Sequence, residues 1–133
     1  MSDEAVGPAP TEPFEYAVIR VVPRVERGES MNAGVILYSQ QHRFLDCRLH
    51  LDEGRLLALD PAADSAAVAA ALTALHEGCR GGRPGEEPLG VRFRWLTAPR
   101  STIVQPSPVH SGLTADPAAE LTHLFETLVR VSP

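Results

Sequence analysis

The sequence predicts an α+β fold: a single domain in which an antiparallel or mixed sheet of four to five strands carries two main helices packed on one face. Three observations predict it. Aromatic and β-branched runs at 14–22 and 33–40 are bounded by turn residues, as strands are. Residues 43–51, RFLDCRLHL, alternate with period two. Two later segments, from Asp64 to the glycines after Cys79 and from Asp116 to Leu128, repeat apolar residues at helical spacing. A chain of 133 residues suits one hydrophobic core.

Residues 1–13, MSDEAVGPAPTEP, are acidic, proline-rich and poor in large apolar groups, so they are expected to form a disordered tail before a domain spanning 14–133. FEYAVIRVV then reads as a first strand ending at Pro23, and AGVILYSQ as a second. The connection PRVERGESMN is too long for a two-residue hairpin, and its charges and Gly28 place it in solvent. In the third strand Leu45, Cys47, Leu49 and Leu51 share one face and Asp46, Arg48 and His50 the other; QQHR turns the chain back, which makes an antiparallel meander. DEGRLLALDP is a short helical turn stopped by Pro61.

Asp64 is a good N-cap for the first long helix, whose stripe is Val68, Leu72, Leu75 and Cys79. GGRPGEEPLG, 81–90, is a loop. VRFRWL, 91–96, alternates and is expected to be a fourth strand; STIVQ, 101–105, adds a short fifth. Pro106 and Pro108 lack backbone donors, which puts that segment at a sheet edge or outside the sheet. Asp116 and Pro117 open the last helix, with Leu121, Leu124, Phe125 and Leu128 as its apolar face.

Composition narrows the function. The opening residues lack the basic start and apolar run of a secretory signal, and no stretch approaches the roughly 18 apolar residues of a membrane span, so a cytoplasmic location is expected. Two cysteines in such a chain read as reduced, buried thiols. The net charge of -5 opposes wrapping nucleic acid by bulk electrostatics. All 12 basic residues are arginines, so neither a Schiff-base lysine nor a P-loop lysine exists here.

Candidate chemistry is sparse. Cys47 and His50 lie on opposite strand faces, and His76 with Cys79 supplies only two ligands, so no metal site and no cofactor is expected. No GxSxG elbow accompanies Ser101, Ser107 or Ser111 near His110. Anion recognition is the sharper idea: Arg100, Ser101 and Thr102 cluster at a proline-bounded turn, with Gln105 following, and Arg20, Arg24 and Arg27 could converge on them. The competing reading pairs these arginines with surface acids such as Glu26, Glu29 or Asp46. Glu29 and Asn32, flanking a strand entry, could hold a ligand or bond their own loop. Gly34 marks close packing or a bulge.

YAVIRVVPRVERGE, NAGVILY, RLLALDP, RFRWLTAPRSTIVQPSPVHSGLT and DPAAELTHLF resemble, from Tyr16 to about Arg130, the bacterial domain-of-unknown-function family 3037. In this sequence Met31 and Ala33 flank Asn32 where relatives more often carry valine or a similar apolar residue. The resemblance implies a context rather than a chemistry, because relatives are often encoded beside a kinase resembling the HipA type. It implies no catalytic residue. Two readings result. One is a small binding or regulatory partner of such a kinase, using the PRSTIVQPSPVHSG edge and the Arg24–Asn32 loop. The other is a phosphoester- or nucleotide-handling enzyme in which Arg100 and Arg20 clamp an anion and Glu29 or His110 moves a proton.

Overall fold

A computed structural model describes residues 9–80 and 88–130. The expected disorder of the tail before residue 9 and most of the expected 81–90 loop lie outside the described residues. The first strand, β1 (Glu12–Val21), begins two residues before the expected domain boundary. It pairs antiparallel with β2 (Met31–Ser39), which pairs antiparallel with β3 (Phe44–Leu49). The QQHR turn closes through the Arg43 N–H donating to the Gln40 carbonyl at 3.0 Å, with Arg43 in the left-handed region at φ 51°. After α1 (Glu53–Leu59) and α2 (Ser65–Arg80) comes α3 (Leu89–Leu96), then β4 (Val104–Pro106), β5 (His110–Thr114) and α4 (Pro117–Leu128). The result is an α+β domain with a five-stranded antiparallel sheet.

β4 and β5 are two halves of one edge, both antiparallel to β1. Val21, Arg20 and Ile19 face Val104, Gln105 and Pro106, whereas Tyr16 faces His110, so one extra residue is accommodated between the halves. Ser107 bridges the gap. Its N–H donates to the Val18 carbonyl at 2.7 Å and its Oγ accepts the Val18 N–H at 2.8 Å, a hydroxyl standing where a strand would offer a carbonyl. The prolines on either side therefore cost β1 no hydrogen bond at this point. The expected edge position of this segment is thus observed, and the strand HSGLT, unforeseen, completes it.

A second bulge lies across β1. Ile19 faces Gly34 but Arg20 faces Asn32, leaving Ala33 as the extra residue of β2. Gly34 beside it is packed so closely on β3 that an added Cβ would meet the Arg48 carbonyl oxygen at 2.7 Å. Both readings of that glycine hold.

The helices divide between the two sheet faces, where the sequence reading placed the two main ones on one. Ala17, Ile19, Ile36 and Cys47 pack with Leu56 of α1, Val68 and Leu72 of α2 and Phe93 of α3. Val35 and Leu37 pack instead with Leu121 and Phe125 of α4. The run Val35–Ile36–Leu37 is completely buried, as a strand covered on both sides requires. That continuous run was the sign of a second covered face.

Residues 91–96 form a helix where a strand was expected. Six residues fit either period. Extending the window to Leu89 aligns Leu89, Phe93 and Leu96 at i, i+4, i+7, and the latter two are buried. Val91 and Trp95, which a strand would set on one face with Phe93, are exposed at 53% and 67%. The Asp64 carboxylate caps α2 through the Ala67 N–H at 3.0 Å, and Asp116 caps α4 through the Ala119 N–H at 3.1 Å, both as expected.

Candidate functional site

The sheet brings three of the singled-out residues into one row. Arg20 of β1 faces Asn32 of β2 on one side and Gln105 of β4 on the other. Directly opposite residues hold their Cβ atoms about 5 Å apart. Ile19 and Val21 point into the α2 side, so the row lies on the α4 side, beside that helix's C-terminal end. There Asn32 Nδ2 donates to the Leu128 carbonyl at 3.0 Å. Arg20 is half-buried and makes no side-chain ion pair or hydrogen bond among the described residues. Asn32 also lines a small hollow of about 150 Å³ with Arg55 and Arg130, two arginines the sequence reading did not single out, and with Asp52.

The remaining candidates are held elsewhere. Arg24 pairs with Asp60 at 3.5 Å and Arg27 with Glu29 at 2.8 Å. The hydrogen bond and charge of Arg27 hold the Glu29 carboxyl below its ordinary range. Arg100 folds back on its own helix, donating to the Trp95 carbonyl at 2.8 Å and the Ala98 carbonyl at 3.3 Å, so its guanidinium caps the C-terminal end of α3. Ser101 is exposed, and Thr102 Oγ1 donates to the Val104 carbonyl at 2.7 Å. The His110 ring lies tilted against Tyr16 at 5.3 Å, with Tyr16 in the middle of β1 rather than beside Arg20. The β1–β2 loop and the start of the proline segment do lie side by side, since the Val22 N–H donates to the Ile103 carbonyl at 2.7 Å. Their cations do not meet there.

A different cluster forms where α2 crosses β3. Ligand atoms of Asp46, Cys47 and His76 lie within 4.8 Å of one another, among the described residues the one such group of His, Cys, Asp or Glu. Cys47 and Cys79 are buried free thiols. The hydrogen bond with Cys79, and then burial, push the Cys47 thiol well above its ordinary range. Asp46 on the β3 border is held by three hydrogen bonds: Oδ1 accepts the Cys47 N–H at 2.8 Å and Arg80 Nε at 3.2 Å, and Oδ2 accepts Arg80 Nη2 at 3.0 Å. Cys47, His76 and Arg80 line a hollow of about 520 Å³ that opens between α2 and α4.

A family model described as "Protein of unknown function (DUF3037)" matches residues 16–129, from β1 to the end of α4. The chain belongs to this family. The DUF3037 match contains the Arg20 row and the thiol cluster alike, and it agrees with the resemblance seen in the sequence. No curated protein and no solved structure matches the chain. Among the described residues of this DUF3037 member, no helix is long and apolar enough to cross a membrane.

Asp46, Cys47 and His76 escaped the sequence reading as a group because the strand supplies two of them and the helix the third. The signal was present in part, since Cys47 on the core face of one element and Cys79 in the core stripe of another must share one interior. The crossing point of the two was not legible.

Proposed function

We propose that this protein is a non-enzymatic binding module that docks on a protein partner along its β4–β5 edge, and that the partner is a kinase resembling the HipA type. One observation carries the docking surface: the large exposed apolar residues gather in one stretch. Of the seven among the described residues, Val91, Trp95, Ile103, Val109 and Leu113 all belong to α3, β5 and the segments joining them to β4. Exposed apolar side chains grouped in this way mark interaction sites more often than scattered ones do. β4 and β5 form a sheet border, whose outward backbone groups can take an added strand. The prolines and the Ser107 bulge blunt the middle of that border, while His110–Thr114 carries no proline. The kinase itself is supported by the context that the family resemblance implies.

Co-expression with the kinase encoded beside the gene, followed by gel filtration, tests this reading. A single co-eluting species that Leu113→Arg or Trp95→Asp separates is expected. Two separately eluting wild-type species overturn it.

The Arg20 row favours a second reading, in which a phosphate-bearing ligand binds at Arg20, Asn32 and Gln105, with Arg55 and Arg130 lining the hollow next to Asn32. A thermal-shift panel of phosphate and nucleotides against wild type and Arg20→Gln tests it; equal shifts, or none, remove it. The proton-transfer roles that the sequence suggests for Glu29 and His110 gain no support, as Glu29 is ion-paired in a loop and His110 lies against Tyr16 in the middle of β1, away from the Arg20 row.

A further inference from the structure

We propose that Asp46, Cys47 and His76, with Cys79 as the fourth ligand, bind one zinc-class divalent metal ion that pins α2 to the β3 edge of the sheet. The donor set is the first reason. Thiolate sulfur, imidazole nitrogen and carboxylate oxygen together are the ligands of zinc and its borderline-soft neighbours, whereas magnesium and calcium take oxygen alone. Geometry is the second. Zinc–ligand bonds of about 2.0–2.3 Å place tetrahedral donors roughly 3.3–3.8 Å apart. The three donors here already lie within 4.8 Å of one another, and Cys79 is a buried free thiol one helical turn on from His76, farther than that from at least one of them. Binding therefore requires the Cys79 sulfur to swing toward the other three.

Availability is the third reason. A carboxylate offers about four lone-pair sites. Cys47 N–H and the two Arg80 nitrogens occupy three of those on Asp46, which leaves one on Oδ2. Arg80 thereby acts as the outer partner that fixes a ligating carboxylate. The half-buried His76 ring has no hydrogen-bond partner among the described residues, so both nitrogens are open. His76 and Cys79 stand at i, i+3 on one helix face, and the hollow lined by Cys47, His76 and Arg80 gives an ion a route in from solvent. On binding, each ligating thiol loses its proton to solvent and becomes a thiolate.

Cobalt(II) is the probe, added to the full chain after chelator treatment. One equivalent is expected to bind with thiolate-to-cobalt charge-transfer absorption, and zinc is expected to bleach that band and raise the unfolding temperature. His76→Gln, a half-exposed change that leaves the core intact, is expected to weaken cobalt binding by roughly tenfold or more, since losing even an outer-shell partner costs that much. Its circular dichroism is expected to match wild type, Cys47→Ser is expected to weaken the band, and the double change Cys47→Ser with Cys79→Ser to abolish it. A wild-type chain without the thiolate band overturns the proposal, as does His76→Gln binding cobalt with undiminished affinity.

Discussion

The two borders of the sheet are opposites. Along β3 the edge is flanked by α2 on one face and α4 on the other; Cys47 is buried, Asp46 is clamped by Arg80, and Arg48 lies over the Phe125 ring at 4.6 Å. Along β4–β5 the outer residues stand open among the described residues: Leu113 is 66% exposed, and between the two prolines Ser107 bridges the ladder, its N–H donating to the Val18 carbonyl and its Oγ accepting the Val18 N–H. An edge can thus be guarded by covering it or by breaking its regularity. Covering creates interior chemistry, and breaking leaves surface open to a partner.

Four substitutions or conditions bear on this contrast. Phe125→Ala uncovers the β3 side, removing a side chain only 3% exposed; a loss of about 3–5 kcal/mol is expected in urea unfolding. If it costs no more than a surface change, the β3 border is not the packed one. Ser107→Ala attacks the other border at the buried polar residue between its two halves. It leaves the Val18 N–H without an acceptor, and a loss of about 1–3 kcal/mol is expected. Ser107→Thr, retaining the hydroxyl, is expected to recover part of it.

Alkaline pH sharpens the comparison through Cys47. Its thiol is raised in the folded state, first by the Cys79 hydrogen bond and then by burial. Below an unfolded thiol value of about 8.5 both states hold the proton; above it the unfolded chain releases it first, so folding stability falls as pH rises. Unfolding curves between about pH 8.5 and 9.5 are expected to show that decline, and Cys47→Ala a flatter one. Equal slopes would mean the thiol is as free as in the unfolded chain. The smallest effect is expected for Leu113→Ser on the open border, within about 0.5 kcal/mol of wild type by thermal melting. A large loss there would show that the side chain supports the fold rather than the surface.

The sequence carried much of this fold locally. The meander, the Asp64 and Asp116 caps, the α2 stripe and the proline-marked edge all depend on neighbours within one or two turns of chain, where spacing and turn chemistry act directly. The failures share a cause. Residues 91–96 alternate convincingly, yet their fate was set by which face found a core, and Phe93 with Leu96 found one. The candidate site fared worse: Arg20, Asn32 and Gln105 meet through cross-strand register, which a bulge at Ala33 shifts by one residue.

By itself the sequence determined the class of fold, the reduced thiols' place inside it, and the want of any lysine-based chemistry. Tertiary structure alone decided that α4 covers the face opposite α2, that Arg100 turns back on its own helix, and that Asp46, Cys47 and His76 share one corner. The physical reason is range. Periodicity and capping act over a few residues, whereas the meeting of a strand with a helix some 30 residues further along depends on how two apolar surfaces settle against each other.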